Sequence, residues 1–207
     1  MVFSSIPFLY YFLPITFFCY WIVPKRMKNT ILLISSIVFY FYGEPRYCFL
    51  LLFSFIWNYW IGKRIEKNRS TKKGKYLLIL SLLVDFGLLF YFKYSHFFLD
   101  TINQILGTNL YLWEIVLPIG ISFYTFQAAS YCIDIYRGEV KSADSVWTFA
   151  TYLTLFPQLI AGPIVRYETV EKELKNRKVT YEMFADGVRR FVYGLSKKVL
   201  LANVLGE

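Results

Sequence analysis

Polar side chains are concentrated in one apolar stretch of the sequence, LPIGISFYTFQAASYCIDIYRG, which runs from Leu117 to Gly138. A polar group at membrane depth must find its hydrogen-bond partner inside the protein. The serine and threonine hydroxyls of this stretch can bond to their own helix, whereas the amide of Gln127 needs a partner on another helix or in a cavity. Asp134 is expected to form an interfacial ion pair with Arg137. The pattern predicts a membrane segment that borders a polar interior.

A second stretch, FPQLIAGPIVRY at Phe156–Tyr167, combines two prolines with a glycine. Pro157, Gly162 and Pro163 cannot all lie in one regular helix. Non-helical backbone at membrane depth is tolerated only where protein or a water-filled cavity covers it, which predicts a broken or re-entrant segment. Gln158 and Arg166 flank this break. Arg166 is either an interfacial cation or a contact for an anionic ligand such as a phosphate.

Two further ionisable residues lie in apolar surroundings. Asp85 is an intramembrane carboxylate, a type of residue that marks functional sites, and it is expected to be protonated or paired with Asn58 or Lys93. His96, the only histidine, follows an apolar run amid aromatic residues, which favours a structural role. The sequence contains no phosphate-binding loop, dinucleotide-binding glycine motif, zinc-protease motif or Ser–His–Asp set.

The composition indicates a membrane protein. The chain has 207 residues, of which 57% are apolar and 21% aromatic, against about 45–50% apolar residues in soluble domains. The net charge is +9, but the basic residues lie in clusters between apolar runs, as expected of loops at the cytoplasmic leaflet and not of a nucleic-acid-binding surface. The cysteines lie within apolar runs and are expected to be small buried residues.

Uncharged runs predict five or six membrane segments, since a span takes about 20 residues. The runs are Met1–Pro24, Asn29–Gly43, Tyr47–Gly62, Tyr76–Phe98, Ile115–Tyr136 and the interrupted Ser145–Val165. The second and third are short, and two alternatives stay open for them: tilted partners of a hairpin, or segments that do not cross the membrane fully. The excess of basic residues in Lys25–Lys28 and Lys63–Lys75 places both segments in the cytoplasm and the N-terminus outside. No basic region precedes the first run, so it is expected to remain as a membrane helix.

The last part of the chain predicts a charged linker over Arg166–Lys178 and an amphipathic helix over about Thr180–Val204. One face of that helix carries apolar residues and the opposite face carries cations, which is typical of a helix lying in the cytoplasmic membrane interface. Packing around a wet cavity is the alternative. The predicted fold class is all-α, a polytopic transmembrane helical bundle with broken or re-entrant helices and an amphipathic interfacial helix.

Three motifs carry a family resemblance: LPIGISFYTFQAASYCIDIYRG, FPQLIAGPIVRY and GLSKKVLLANVL. Together they resemble the membrane-bound O-acyltransferase (MBOAT) family, in its alginate O-acetylation branch. The resemblance implies a bacterial inner or plasma membrane location and a helical fold pierced by a tunnel. It also implies a cytoplasmic acyl donor such as acetyl-CoA, with no bound cofactor or metal, and an exopolysaccharide acceptor with a periplasmic or surface-anchored acetyltransferase partner. The residues expected to line the passage are Gln127, Gln158, Pro163 and Arg166.

Members of this family are typically much longer than this chain. Residues 1–207 are therefore expected to be the N-terminal part of a single MBOAT membrane domain, with the catalytic histidine beyond Glu207. Two alternatives stay open, an inactive fragment and a non-enzymatic polysaccharide-export or transport component. An apolar continuation of the coding frame with a membrane histidine would favour the acyltransferase.

The first prediction concerns the stability of the 207-residue chain produced alone. Polar side chains that would face further helices are left uncovered, so we expect an aggregating or non-cooperatively unfolding species in detergent. Size-exclusion chromatography and thermal unfolding measure this. A monodisperse species with a cooperative unfolding transition would contradict it.

Overall fold

The computed structural model describes residues 3–108, 111, 115–160, 162–177 and 179–206, which form helices and connecting turns with no β-strand among them. The all-α prediction is confirmed. The helices are α1 (Pro7–Ile22, with π-type hydrogen bonds over Pro7–Phe12), α2 (Lys28–Gly43), α3 (Cys48–Asn68), α4 (Lys72–Leu106), α5 (Ile121–Arg137), α6 (Val146–Thr154), α7 (Phe156–Leu159), α8 (Tyr167–Lys175) and α9 (Tyr181–Ser196, continuing through the π-helical Lys197–Ala202 to Asn203–Leu205).

The centre of the fold is the packing of α3, α4 and α5 against one another. Gly62 of α3 allows the close approach of α5, because a Cβ atom at this position would lie 2.8 Å from Cε1 of Tyr131. The helix α2 packs chiefly against α6, and only weakly against α3. The two short predicted segments therefore form helices joined by a tight turn, as in the hairpin alternative, but each finds its main packing partner elsewhere.

The outer surface of the bundle is strongly apolar. Large side chains such as Phe18, Trp60 and Leu83 are 69%, 59% and 66% exposed, while polar side chains such as Asn58 and Gln127 are buried in the interior. A soluble protein rarely exposes apolar patches of this extent. Such a distribution is expected of a protein whose outer surface contacts lipid.

One described helix, α4, is long and apolar enough to cross a bilayer by length and composition, and the shorter α1 is also apolar. With 35 residues, α4 is about 52 Å long at 1.5 Å per residue. It contains the whole of the predicted fourth span. The expected set of five or six spans stays a prediction, and the first two residues of the predicted span Met1–Pro24 lie outside the described residues.

Two segments predicted as charged connections are helical instead. The segment Lys63–Lys75 is divided between α3 and α4, so that only Arg69–Thr71 connects them. The charged residues prolong each helix beyond its apolar part, and Thr71 caps α4 by accepting a hydrogen bond from Gly74 N. The expectation of a long cytoplasmic loop is therefore wrong.

The predicted linker Arg166–Lys178 contains the helix α8, and Lys178 lies outside the described residues. Charges spaced four residues apart support this helix, as in the ion pair of Lys172 Nζ with Glu168 Oε1 at 2.7 Å. Leu174 is buried and gives the helix a packing face. Tyr167, Val170 and Leu174 are three and four residues apart, as on one face of a helix, but the charges between them suggested a linker.

The predicted amphipathic helix forms as α9, and none of its described residues is buried. Its contact with the bundle includes Phe184, whose ring lies 5.8 Å from that of Trp21 and 6.1 Å from that of Phe17. Other apolar residues of the same face, including Val188 and Phe191, remain partly exposed. An interfacial location would cover this face with lipid, and it stays a prediction.

A prediction follows from the close approach of α3 and α5. Gly62→Ala should lower the free energy of unfolding by about 1–3 kcal/mol, because the added methyl overpacks the contact with Tyr131. Gly87→Ala in α4 is the matched control, since a Cβ there meets nothing within 4 Å and alanine favours a helix by about 1 kcal/mol over glycine. Thermal unfolding in detergent of the full-length protein that contains this chain compares the two substitutions. An equal effect of both substitutions would contradict the close approach.

Candidate functional site

A buried polar cluster connects the three central helices. Asn58 Nδ2 donates a hydrogen bond of 2.8 Å to Asp85 Oδ1. Asn58 Oδ1 accepts hydrogen bonds from the Ser81 hydroxyl at 3.3 Å and from the Cys132 thiol at 3.4 Å. All four side chains are buried. The cluster therefore joins α3, α4 and α5 through one amide side chain.

The cluster decides between the two expected partners of Asp85, and the alternative that Asp85 is protonated stays a prediction. Its carboxylate is paired with Asn58, whereas Lys93 places its ammonium 5.5 Å from the ring centroid of Tyr94.

His96 has the structural role that its position predicts, because its Nε2 accepts a hydrogen bond from the backbone N–H of Ile115 at 3.3 Å.

Several buried oxygen atoms of the interior have no hydrogen-bond partner within the described part of the chain. They are Asp85 Oδ2, the amide oxygen of Gln127 and the hydroxyls of Tyr40, Tyr124 and Tyr167. Asp85 lies on α4, Tyr124 on α5 and Tyr40 on α2. Since an unpaired buried polar group costs about 1–3 kcal/mol, such groups mark positions retained for a reason other than stability.

Gln127 lies in the same interior and is fully buried, at 0% exposure. Neither its amide nitrogen nor its amide oxygen has a partner among the described residues. Gln158 is also buried, but its Nε2 donates to the backbone oxygen of Tyr152 at 2.5 Å. Of the two glutamines, Gln127 is therefore the one that has both donor and acceptor available.

The predicted interruptions of the helices are present and meet each other. The helix α5 begins only at Ile121, six residues after the expected start of the span, because Gly120 adopts φ +79° just before it. A Cβ at Gly120 would lie 2.7 Å from the backbone oxygen of Leu159. Only glycine permits this contact between α5 and α7.

The run Ser145–Val165 is broken after Thr154 and again after Leu159, as its prolines and glycine predict. Ala161, which belongs to the predicted break, lies outside the described residues. The broken segments that carry Gln127 and Gln158 thus come together at the Gly120–Leu159 contact.

Pro163 and Arg166 lie on the surface, unlike the two glutamines. Arg166 Nη1 lies 3.4 Å from Glu139 Oε2, and Arg137 Nη1 lies 3.8 Å from Glu139 Oε1. The expected ion pair of Asp134 with Arg137 is wrong, because Glu139 in the following turn takes the arginine while Asp134 is buried. The expectation that the four residues line a passage stays a prediction.

Sequence reasoning missed Ser81 and Cys132 as members of the polar cluster. The available signal was the spacing of Ser81 and Asp85, four residues apart and hence on one face of a helix. Cys132 was expected to be a small buried residue, which it is, but its thiol also donates to Asn58. Among the described residues, no group of His, Cys, Asp and Glu side chains is arranged to hold a metal ion.

Comparison with known proteins gives strong matches over nearly the whole chain. The sequence is 42% identical to a Pseudomonas aeruginosa protein named "Probable alginate O-acetylase AlgI", over 99% of this chain and 40% of that protein. It is 39% identical to an Azotobacter vinelandii protein of the same name, over 99% of this chain and 42% of that protein. It is 30% identical to a Helicobacter pylori "Peptidoglycan O-acetyltransferase", over 98% and 45%.

The chain thus spans about two fifths of the length of the curated relatives that it matches. No family model matches the sequence. No solved structure matches it either.

An all-helical fold with an apolar exterior and a buried polar cluster fits a membrane protein, and these relatives are named as alginate O-acetylases and a peptidoglycan O-acetyltransferase. The similarity fits the membrane-bound O-acyltransferase family. Within that family its similarity is to the alginate O-acetylases, as the three sequence motifs indicated.

One prediction tests the polar cluster. Asn58→Leu should lower the free energy of unfolding by about 1–3 kcal/mol or more, because it leaves the buried Asp85 without its donor. The double substitution Asn58→Leu, Asp85→Leu should recover part of this loss, since two apolar side chains of similar shape leave no unpaired charge. A double-mutant cycle by thermal unfolding measures the coupling. Strict additivity would show that the hydrogen bond contributes nothing.

Another prediction tests the contact of the broken helices. Gly120→Ala and Gly107→Ala both place alanine at a positive φ, of +79° and +63°, which costs about 1–2 kcal/mol in each case. Only at Gly120 does the methyl also meet a backbone oxygen, that of Leu159, whereas at Gly107 it meets nothing within 4 Å. Gly120→Ala should therefore lower the unfolding temperature clearly more than Gly107→Ala does. Equal shifts would rule out the contact.

Proposed function

We propose that this chain forms part of a membrane-bound O-acyltransferase that relays an acetyl or other acyl group from a cytoplasmic donor to an extracytoplasmic polysaccharide. The observation that carries the proposal is the 37–42% identity to alginate O-acetylases over 99% of the chain. The 30% identity to a peptidoglycan O-acetyltransferase supports the same class of acceptor, a hydroxyl group on a cell-envelope glycan.

The proposed architecture is a multi-pass bundle with its N-terminus outside the cell, in the bacterial inner or plasma membrane. Three features support it: the exposed apolar surface, the length of α4 and the buried polar cluster. The basic segments Lys25–Lys28 and Lys63–Lys75 would lie on the cytoplasmic side, in agreement with the distribution of Lys and Arg in membrane proteins.

The proposed reaction transfers the acyl group of a thioester, most simply acetyl-CoA, to a hydroxyl group. The C–S bond of the thioester breaks, a C–O ester bond forms, and the hydroxyl proton passes through a general base to the leaving thiolate. A histidine is suited to that role near neutral pH, and the family resemblance implies one beyond Glu207. His96 is not proposed for it, because its Nε2 is already bonded to the backbone of Ile115.

The contribution of this chain would be the lining of the acyl passage. Gln127 is the strongest member of the proposed set, because both polar atoms of its buried amide are without partners among the described residues. Gln158 and Pro163 belong to the broken segment that approaches α5, and Arg166 lies at its surface end. An amide in this setting can hydrogen-bond a passing acyl carbonyl or hydroxyl, because it offers both a donor and an acceptor.

The transfer would also involve partners. A periplasmic or surface-anchored acetyltransferase would receive the acyl group, and an exopolysaccharide would be its final acceptor. Removal of the gene that encodes this sequence should therefore abolish ester-linked acetyl groups on the envelope polysaccharide, measured by proton NMR of the purified polymer. Loss of polymer secretion with unchanged acetylation would instead assign the protein to export.

The last prediction of this section concerns Gln127. Gln127→Leu should lower acetylation by about 10-fold or more, corresponding to roughly 1.4 kcal/mol of lost transition-state stabilisation. Gln104→Leu is the matched control, because Gln104 is exposed near the C-terminal end of α4. Acetyl content of the polysaccharide is measured with both variants produced at equal levels in the membrane. Full activity of Gln127→Leu would exclude this residue from the passage.

A further inference from the structure

A basic cavity of about 390 Å³ lies where the end of α1, the start of α2 and the end of α8 meet. Its polar lining consists of Lys25, Lys28, Asn29, Lys175 and Arg177. Four of these five side chains are cations. The cavity is separate from the buried polar cluster and from the broken helices.

The charge of one cation in the basic cavity is already balanced. Lys175 Nζ lies 2.6 Å from Asp144 Oδ2 and 2.7 Å from Glu171 Oε1. The hydrogen bonds to Asp144 and Glu171 raise the pKa of Lys175 above its usual value. Lys25, Lys28 and Arg177, in contrast, have no carboxylate partner in the part of the chain that the structure describes.

Arg177 is held in place by neutral groups only. Its Nη1 donates to the Tyr20 hydroxyl at 2.7 Å and its Nη2 donates to Asn29 Oδ1 at 2.8 Å. The Lys28 ammonium lies 4.6 Å from the centre of the Tyr20 ring. The Arg177 guanidinium carbon lies 5.5 Å from the centre of the same ring. The Tyr20 ring therefore contacts a guanidinium and an ammonium, and no carboxylate neutralises either one, as is expected of an anion-binding site.

An apolar groove of about 320 Å³, whose lining also includes Glu173, lies next to the basic cavity. It runs between α1, α7, α8 and the start of α9, and exposed rings such as those of Phe17 and Trp21 form its wall. The basic cavity and the apolar groove share Leu174, Arg177 and Val179. The groove continues into a second apolar depression of about 420 Å³ between α1 and α9, with which it shares Leu13, Phe17 and Phe184.

We propose that the basic cavity and the apolar groove together bind an anionic phospholipid. The phosphate would contact Lys25, Lys28 and Arg177, and one acyl chain would lie along the apolar groove between α1 and α9. Basic pockets between helices on the cytoplasmic side of membrane proteins recognise lipid headgroups by this combination. The occupant must be both anionic and long-chained, because unpaired cations lie at one end and apolar side chains at the other.

Coenzyme A fits this surface less well than a phospholipid. Its phosphates would match the basic cavity, but its polar pantetheine arm would lie in a groove that offers few hydrogen-bond partners, at a cost in free energy. The lipid site does not depend on acyl transfer and would exist whatever reaction the protein catalyses.

The test uses the full-length protein that contains this chain, purified in detergent, stripped of lipid and then offered equal amounts of dioleoyl-phosphatidylglycerol and dioleoyl-phosphatidylcholine. These lipids have the same chains and differ in net headgroup charge. Native mass spectrometry should show about 10-fold preferential retention of phosphatidylglycerol, in keeping with the attraction of several unpaired cations for one phosphate. Dihexanoyl-phosphatidylglycerol, with the same headgroup and short chains, should be retained far less.

Matched variants locate the site. Lys25→Gln with Lys28→Gln should reduce phosphatidylglycerol retention by about 10-fold, whereas Lys72→Gln with Lys73→Gln removes the same charge from exposed positions outside the cavity and should leave it unchanged. Size-exclusion profiles establish that both variants fold. Equal retention of the two dioleoyl lipids, equal effects of the two variants, or displacement of the lipid by inorganic phosphate or coenzyme A at equal concentration would each overturn the proposal.

Discussion

The hydrogen bonds of one amide side chain hold the centre of this fold together. In an apolar setting no water is available to satisfy a buried polar group, so each one must meet a partner within the protein. Asn58 satisfies this constraint for three helices at once, since its nitrogen bonds to Asp85 and its oxygen accepts from Ser81 and Cys132. Sliding any of these helices by one turn would leave a carboxylate or an amide bare, and the cluster therefore fixes their register.

The same constraint makes the unpaired polar side chains and the irregular backbone of this fold functionally informative. The unwound backbone before α5 meets α7 at Gly120, which lets the two segments touch through backbone atoms, while Val116, Leu117 and Pro163 in the irregular segments are exposed. Gln127 lies on the helix that starts at this contact, with its amide free to bond. An apolar exterior thus surrounds an interior in which a few polar side chains have no hydrogen-bond partner among the described residues. These unpaired polar groups are the main structural argument for a role in acyl transfer and not only in membrane anchoring.

The sequence predicted the features that act locally. Proline and glycine interrupt a helix wherever they occur, so the breaks near Gly120 and after Thr154 could be located from residue types alone, and the period of apolar residues was enough to find α9. The sequence-based prediction failed where contacts between residues distant along the chain determine the structure. The Lys63–Lys75 run suggested a loop because charges are costly in lipid, but these residues extend two helices past the apolar region.

In the candidate site too, the sequence predicted the features that depend on local residue types but not those that depend on tertiary contacts. The broken segments and the pairing of Asp85 with Asn58 could be anticipated from the residues, whereas the participation of Cys132 required knowing how α5 turns toward α3 and α4. Arg137 pairs with Glu139 and not with Asp134, because the turn after α5 folds back and brings Glu139 near the arginine. No periodic pattern in the sequence encodes that turn. Distances across the interior are a tertiary property and cannot be read from spacing along the chain.

The length of α4 has a mechanical consequence. A bilayer has a hydrocarbon core of about 30 Å, so a straight helix of about 52 Å crossing it would project by some 20 Å in total. In the proposed orientation its lysine-rich start, with Lys72, Lys73 and Lys75, would lie at the inner headgroups, and the last two turns, from Asp100 to Leu106, would rise on the opposite side. The outer end of α4 would then be a stiff projection at the membrane surface, without the yielding of a loop.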